Sequence, residues 1–338
     1  MVDPNAQPAK APRRLRRPLL DDSDRRIVEL LTRDGRLSNR RIAAEVGRSE
    51  ATVAARIRNL QQQRILGVSV LLDWTVAGYE WDLTVRVQVA GRPVEDVANG
   101  LAELRYVHWV MVVFGGADIV LHIQAPTRDA VVTLLTEQVA AIDGVADFSV
   151  TVNLETLKYD VRFARLPVEP TALEFPNPHI DLDDNDRSLI EALMIDGRRS
   201  NRDLARSLAV SEGTIRARVA RLEDAGLLRI CGQTDPYRTG LVGAWAYVAI
   251  DVDGAASRRV ARLLAEMPDV LIVNVCSGSA ILSAFVVAED RTALVDDTIA
   301  RVRAVPEIVG TEVTEVSRTI KLDYHWARLV EPAGTART

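Results

Sequence analysis

Two twelve-residue stretches of the chain have side chains suited to binding nucleic acid. Residues 49–60 read Ser-Glu-Ala-Thr-Val-Ala-Ala-Arg-Ile-Arg-Asn-Leu, and residues 211–222 read Ser-Glu-Gly-Thr-Ile-Arg-Ala-Arg-Val-Ala-Arg-Leu. In each stretch the apolar residues are spaced by four and then three positions, which predicts an amphipathic helix with one buried face. The first serine is a favourable N-cap, and the hydroxyls and arginines of the opposite face suit phosphates and base edges. We interpret both stretches as recognition helices.

The candidate DNA-binding residues lie on the polar faces of these two helices. They are Ser49, Thr52, Arg56, Arg58, Asn59, Ser211, Thr214, Arg216, Arg218 and Arg221. Arg56 and Arg218 occupy matching positions beside the apolar stripe, and we expect them to bind phosphate, whereas the others contact bases or phosphates. Two alternatives stay open. The helices are ordinary surface helices with solvated arginines, or Arg56 and Arg218 pair with carboxylates of their own domain.

The repetition extends beyond the recognition helices. The motif Asp-Gly-Arg at residues 34–36 returns at residues 196–198, and Leu-Asp at residues 20–21 returns at residues 182–183, each 162 positions later. Each copy predicts three helices with a tight turn before the third, which is the arrangement of a helix-turn-helix. A short apolar run follows the third helix and is expected to open a β-wing. The sequence therefore predicts two winged helix-turn-helix units.

After each unit the hydrophobic pattern changes from a helical period to alternation. Residues 82–89 alternate between polar and apolar side chains, which predicts a half-buried strand. The order strand, helix, two strands, helix, strand follows in both halves and predicts a ferredoxin-like βαββαβ sheet with its helices on one face. Residues 270–288 lack charged side chains and approach the length of a membrane span, but the Ser-Gly-Ser at residues 277–279 favours a β-hairpin.

These patterns predict an α+β protein with a duplicated domain order, because 338 residues exceed what one core usually organises. The expected parts are a disordered basic arm (1–18), a winged helix-turn-helix (19–70), a ferredoxin-like ligand and dimerisation domain (71–166), a proline-rich linker (167–180), a second winged helix-turn-helix (181–232) and a second ferredoxin-like domain (233–330). A DNA-contacting role for the arm is the open alternative.

Composition narrows the classes of function. The formal net charge of −5 argues against a protein that coats nucleic acid through bulk positive charge. Cys231 and Cys276 are far apart and form no Cys-x-x-Cys motif, so neither a disulfide framework nor a cysteine zinc site is indicated. No secretory signal is visible, and a cytoplasmic protein without membrane partner, cofactor or metal is expected.

At this point the sequence resembles the Lrp/AsnC family of bacterial and archaeal transcription regulators. The matching features are the Leu-Asp pair, the Asp-Gly-Arg motif, the recognition helix and the Gly-x-x-Asp turn at residues 115–118. The resemblance implies a DNA-reading domain, and a second domain that dimerises and in many members binds an amino acid or a similar effector. It assigns effector contact to the turn residues Gly115, Gly116 and Asp118. Residues 277–280 read Ser-Gly-Ser-Ala, so the second half is expected to have lost an effector contact.

A fused duplication suggests that the two halves act as an intramolecular pseudo-dimer on double-stranded DNA, with further self-association through the sheet domains. The two reading faces differ, because Ala54, Arg58 and Asn59 correspond to Arg216, Ala220 and Arg221. We therefore expect non-identical half-sites in the operator.

Two other functions compete with transcriptional regulation. Siroheme decarboxylases share the two-domain order and rely on histidines and arginines, and this chain has histidines at positions 108, 122, 179 and 325. These histidines form no pair at metal-ligand spacing, and the arginine-rich helices have no role in such an enzyme, so we do not expect an enzyme. The other alternative is an architectural protein that wraps DNA.

Overall fold

The computed structural model describes residues 20–63, 65–72, 78–159, 181–234, 239 and 242–322. The predicted basic arm, the proline-rich linker, His179 and His325 lie outside these residues. Within the described ranges, no helix combines the length and the apolar character that crossing a membrane requires.

The first half contains a three-helix unit followed by the alternating elements that the sequence predicts. The helical unit is α1 (Asp22–Arg33), α2 (Asn39–Val46) and α3 (Glu50–Gln62), and strand β1 (Leu66–Leu72) follows it. The sheet region consists of β2 (Trp81–Val89), α4 (Val94–Ala102), β3 (Val107–Phe114), β4 (Ile119–Ala125), α5 (Arg128–Thr133) and β5 (Val145–Tyr159). Helix α5 continues as a π-helix over Leu134–Val139, so the predicted second helix is present with wider hydrogen bonding in its second part.

The second half repeats this order. Its helical unit is α6 (Asp184–Ile195), α7 (Asn201–Leu208) and α8 (Glu212–Asp224), followed by β6 (Leu228–Thr234). Its sheet region consists of β7 (Ala244–Val252), α9 (Ser257–Glu266), β8 (Val270–Gly278), β9 (Leu282–Ala288), α10 (Arg291–Ala293), a π-helix (Leu294–Ile299), α11 (Ala300–Arg303) and β10 (Ile308–Leu322). The uncharged stretch of membrane-span length is therefore the β8–β9 hairpin, as its turn residues predict.

The strand after each helical unit does not form the expected wing. Strands β1 and β6 pair with each other, antiparallel, from Leu66 opposite Thr234 to Leu72 opposite Leu228. They form a separate two-stranded sheet that joins the two helical units. The prediction of a wing within each unit is corrected for a simple reason. Each strand forms its ladder of backbone hydrogen bonds with the equivalent strand of the other half, in place of a second strand from its own unit.

The two sheet regions close into one barrel. Each half has four antiparallel strands, in the order β3-β4-β2-β5 in the first and β8-β9-β7-β10 in the second. The fifteen-residue strands β5 and β10 also pair with the other half, β5 with β8 and β10 with β3. Closure leaves no free strand edge in the eight-stranded sheet. Trp109, Trp245 and Phe285 pack inside the barrel, and the helices of each half cover its outer apolar face.

The joint between the helical units requires glycine at position 35. The Gly35 amide donates to the carbonyl of Ile230 at 3.0 Å, and the Gly197 amide donates to the carbonyl of Val68 at 3.0 Å. A Cβ atom on Gly35 would lie 2.9 Å from the Cys231 amide nitrogen and the Ile230 oxygen, so the backbones approach too closely for a side chain.

We expect Gly35→Ala to lower the free energy of unfolding by about 1–3 kcal/mol, because the added methyl group forces the helical unit away from the joining strands. Gly100→Ala is the matched control. A Cβ there meets Ile142 at an ordinary 3.6 Å, and alanine is the better helix former. Chemical denaturation measures both variants. Equal stability of Gly35→Ala and the wild type would show that the close approach is not a constraint.

Candidate nucleic-acid interface

Helices α3 and α8 have the amphipathic form that their sequences predict. The buried residues are the same three positions in both helices, namely Val53, Ile57, Leu60, Ile215, Val219 and Leu222. These side chains pack each helix against its own unit, and this packing determines which side of the helix is exposed.

The predicted serine caps are present at both recognition helices. Ser49 Oγ accepts from the Thr52 amide at 3.2 Å, and Ser211 Oγ accepts from the Thr214 amide at 3.0 Å. In each pair the two hydroxyl oxygens also lie 2.8 Å apart, within hydrogen-bond distance. Ser49, Thr52 and Ser211 are exposed, so their hydroxyls form a polar N-terminal edge on each helix that is open to a phosphate.

Arg56 and Arg218 are held by carboxylates of their own unit. Arg56 Nη1 lies 2.7 Å from an Asp21 oxygen and 2.8 Å from an Asp24 oxygen. The hydrogen bond to Asp24, followed by that to Asp21, raises the pKa of Arg56. The second unit repeats the arrangement, since Arg218 Nη1 lies 2.6 Å from Asp186. For these arginines the carboxylate alternative describes the contacts of the free protein, and their binding of phosphate stays a prediction.

Arg221 also belongs to this carboxylate cluster. Its Nη2 atom lies 2.5 Å from Asp186 Oδ2, and the Asp186 side chain is almost fully buried. The matching residue of the first unit, Asn59, is exposed and accepts a hydrogen bond from Gln63 at 2.9 Å. The two reading faces therefore differ in structure as well as in sequence.

Arg58 and Arg216 remain as the cationic groups of the predicted set that are available for contact. Arg216 is 64% exposed and lies 4.0 Å from Glu212, a weak and solvated pair. Arg58 is exposed and makes no hydrogen bond or ion pair within the described part of the chain. The structure thus divides the predicted arginines into three that brace their units and two that face outward.

A second pair of arginines, which the sequence analysis did not assign, locks the two helical units together. Arg36 Nη2 donates to Asn201 Oδ1 at 2.6 Å and to the Arg199 carbonyl at 3.2 Å. Reciprocally, Arg198 donates to the carbonyls of Gly35 and Leu37 and to Asn39 Oδ1, all within 2.9 Å. Burial lowers the pKa of both guanidinium groups. The repeated Asp-Gly-Arg motif was the sequence signal for this contact.

The turn assigned to effector binding is tied into the barrel. Gly115 has φ 132°, and a Cβ there would meet the Val313 carbonyl at 2.6 Å. The Gly116 carbonyl accepts from Gln88 Nε2 at 2.8 Å, and Asp118 Oδ2 accepts from the Val89 amide at 2.8 Å. These contacts give all three residues a role in shaping the turn, and their contact with an effector stays a prediction.

The second half keeps the backbone of this turn but not its carboxylate. Gly278 also has φ 132°, and its Cβ position faces the Val150 carbonyl at the same 2.6 Å. The structural counterpart of Gly115 is therefore Gly278, one residue later than the repeat spacing of the helical units suggests. Ile281 takes the place of Asp118, because its carbonyl accepts the equivalent hydrogen bond at 2.8 Å. The two turns therefore differ in this side chain and share their backbone, and the loss of an effector contact in the second half stays a prediction.

A buried polar cluster lies inside the barrel. Its residues come from the first half of the chain, and the matching positions of the second half are apolar. The Asp82 carboxylate accepts from His122 Nε2 at 2.9 Å and from Asn153 Nδ2 at 2.6 Å. Burial raises the pKa of Asp82, but His122 and the hydrogen bonds outweigh it, so the pKa is lowered overall. The counterparts of Asp82 and His122 are Trp245 and Phe285, which are apolar contacts of the barrel core. The cavity beside His122 has about 20 Å³, room for one water molecule.

Comparison with known proteins agrees with this architecture. The profile of the AsnC-type helix-turn-helix domain matches residues 20–61 and 182–223, and that of the Lrp/AsnC ligand binding domain matches residues 82–163. An uncharacterized HTH-type transcriptional regulator of Pyrococcus furiosus is 30% identical over 144 residues, which are 42% of this chain and 97% of the relative. The HTH-type transcriptional regulator LrpA of Pyrococcus horikoshii is 26% identical over 141 residues, which are 41% of this chain and 100% of LrpA. The chain belongs to the Lrp/AsnC family.

The tandem arrangement also has a match among solved structures. The siroheme decarboxylase NirDL superposes with a TM-score of 0.57 at 18% identity, over 91% of this chain and 97% of that one. This similarity concerns the fold alone. The family relatives, in contrast, are covered almost completely by less than half of this chain, so the chain has about twice their length.

Proposed function

We propose that this chain is a transcriptional regulator that binds double-stranded DNA sequence-specifically, with its two halves acting as one pseudo-dimer in the cytoplasm. The observation that carries the proposal is the pairing of β1 with β6, which joins two capped recognition helices within one molecule. A fixed pair of reading helices suits two successive major grooves. In this proposal residues 19–70 and 181–232 read DNA, and residues 71–166 and 233–330 are the ligand and dimerisation domains.

The roles of the reading residues follow from their contacts. Arg58 and Arg216 bind bases or phosphates, since they face outward. Ser49, Thr52, Ser211 and Thr214 offer hydroxyls to phosphate at the helix N-termini, and Asn59 offers an amide. Arg56, Arg218 and Arg221 orient the helices through their carboxylates. The β1–β6 sheet replaces the two separate wings.

The proposed operator has two different half-sites. Arg58 corresponds to Ala220 in the second repeat, and Arg216 corresponds to Ala54 in the first. The arginine therefore lies on a different turn of each recognition helix. Because bidentate arginine contacts discriminate guanine from other bases, this shift changes which base pair each helix reads. Selection of random duplexes by the purified full-length chain tests this. We expect an asymmetric consensus, and a perfect palindrome would contradict the assignment.

The first-half turn and the family membership also support a response to an amino acid or similar small effector. In this proposal Gly115, Gly116 and Asp118 contribute to a first-half effector contact, and further chains associate through the barrel domains. An architectural role without sequence preference is distinguished by the same selection experiment, because it returns no consensus.

A tetrapyrrole enzyme remains the second candidate because of the full-length similarity in fold to NirDL. The space beside the buried histidine, about 20 Å³, is far too small for a macrocycle. Adding iron-uroporphyrin III to the purified protein and recording the absorbance spectrum tests this candidate. A shifted and saturable Soret band would support it, and an unchanged spectrum would leave the regulator as the function.

A further inference from the structure

A cleft of about 730 Å³ lies between the first recognition helix and the barrel. Its walls come from α3 of the first unit, the end of α6 in the second unit, strand β1 and the last residues of β10. The volume lies within the range of about 300–1,000 Å³ that small-molecule sites occupy. The cleft is separate from the Gly115 turn and from the polar cluster in the barrel.

The cleft combines aliphatic side chains with charged ones, namely Arg58, Arg198, Lys321 and Asp196. Ile57, Ile195 and Ile320 line it, and Ile195 is 80% exposed although it is a large aliphatic residue at the joint of two domains. Arg198 also lines it but donates to Gly35, Leu37 and Asn39, so its hydrogen bonds are already made. Lys321 Nζ donates to the Ala102 carbonyl at 2.9 Å, and the Asp196 carboxylate accepts from the Arg198 amide. Arg58 has no such partner in the described residues, so we take it as the group that receives an anion.

The duplicated half carries different side chains at positions that line this cleft. Gly67 in the cleft wall corresponds to Arg229, whose guanidinium donates to the Arg33 carbonyl at 3.3 Å. Arg33 is itself the counterpart of Ile195, and the counterpart of Arg58 is Ala220. At the equivalent place in the other half, Arg229 and Arg33 therefore stand where this cleft has Gly67 and Ile195, and Ala220 stands where it has Arg58. The two halves have diverged in side-chain size and in the position of charge at this place.

We propose that this cleft binds a small hydrophobic carboxylate, with its apolar group against Ile57, Ile195 and Ile320 and its carboxylate on Arg58. The ligand class is an aliphatic or aromatic amino acid or the corresponding α-keto acid, which share this chemistry. The regulatory consequence rests on the proposed function, because Arg58 is also a proposed DNA contact. A carboxylate on Arg58 removes it from DNA, so the ligand weakens the half-site read by α3. The half-site read by α8 is unaffected, because Ala220 offers no competing group.

Isothermal titration calorimetry on the full-length chain tests binding with L-phenylalanine, phenylpyruvate, L-isoleucine and the α-keto acid of isoleucine, with phenylacetamide as the neutral control. We expect at least one carboxylate to bind and the amide not to bind. Tighter binding of the keto acid or of the amino acid shows which of the two classes of carboxylate the cleft prefers. Absence of binding by all four carboxylates overturns the proposal.

Variants test the location of the site. Gly67→Arg and Ile195→Arg, the filling variants, each introduce into the cleft the arginine that the other half has at the matching position. We expect each of them to abolish binding of the carboxylate. Arg58→Gln should weaken binding about 10-fold, the loss of one charge-assisted hydrogen bond. Arg216→Gln removes the same charge outside the cleft and should bind as the wild type does. Normal binding by both filling variants, or equal losses in Arg58→Gln and Arg216→Gln, overturns the assignment.

DNA titrations separate this proposal from the proposed function. Without ligand, binding to a two-half-site duplex tests the regulator alone. With saturating carboxylate, we expect the α3 half-site to weaken about 5-fold or more, a usual size for coupling between sites. Unchanged DNA affinity, or equal weakening of both half-sites, contradicts the competition for Arg58 while leaving DNA recognition intact.

Discussion

Replacing Asp82 by alanine is expected to lower the free energy of unfolding by about 3–5 kcal/mol, because the substitution leaves three hydrogen-bond donors of the barrel interior without their acceptor. His122, Asn153 and Gln124 all donate to this carboxylate inside the barrel. Asp143→Ala is the matched control, since that carboxylate is 82% exposed and pairs with Arg92 at 3.5 Å. A surface pair of this kind contributes about 0–1 kcal/mol. Urea denaturation of both variants, compared with the wild type, measures the difference.

The same carboxylate gives stability a defined pH dependence. The pKa of Asp82 is lower in the folded chain than in the unfolded chain, where a carboxyl group of this type has a pKa of about 3.9. Its contribution is therefore complete above the unfolded value and is lost as the pH falls through the folded value. Asp82→Asn removes this titration, so its unfolding free energy should fall less steeply with acid. Parallel curves for the variant and the wild type would assign the acid sensitivity to other groups.

Replacing Arg58 and Arg216 by alanine together is expected to produce the largest loss of DNA affinity. Each substitution should cost its own half-site about 1–3 kcal/mol if the arginine contacts a base, and should reduce the salt dependence if it contacts phosphate. Arg258→Ala with Arg262→Ala removes two charges from α9 on the barrel and serves as the control. Fluorescence anisotropy at several salt concentrations measures both double variants. Equal losses in the two would mean that net charge, and not the recognition helices, controls binding.

Arg56→Ala and Arg218→Ala should behave differently from that pair. Both arginines join the recognition helix to carboxylates at the start of the first helix of the same unit. Their loss is therefore expected to lower thermal stability as well as DNA affinity, whereas Arg58 and Arg216 should affect affinity alone.

Local pattern accounts for the parts of the fold that the sequence predicts well. The stripe of Val53, Ile57 and Leu60 specifies its own helix, and the alternation over residues 82–89 specifies strand β2, because each signal lies within one element. The β1–β6 and β5–β8 pairings depend on register between residues more than a hundred positions apart, and no short-range pattern encodes them. The wing was misplaced for this reason.

The candidate site shows the same division. Periodicity located the polar faces of α3 and α8, but it could not show that Arg56 lies beside Asp21 and Asp24, thirty-two or more residues earlier. The counterpart of the Gly115 turn was displaced by one residue because the repeat spacing of the helical units does not hold in the sheets. The sequence could not separate Arg58 and Arg216 from the arginines that pair with aspartates of their own unit, because that pairing depends on the folded arrangement of the helices.

Hydrogen bonding between β1 and β6 has a consequence for dosage in the cell. Two readers that belong to one polypeptide do not separate on dilution, so no encounter between subunits precedes occupancy of the operator. Operator occupancy at low copy number should then rise in direct proportion to the number of molecules made, with no threshold. A family member assembled from separate subunits would instead respond to the square of its abundance when scarce.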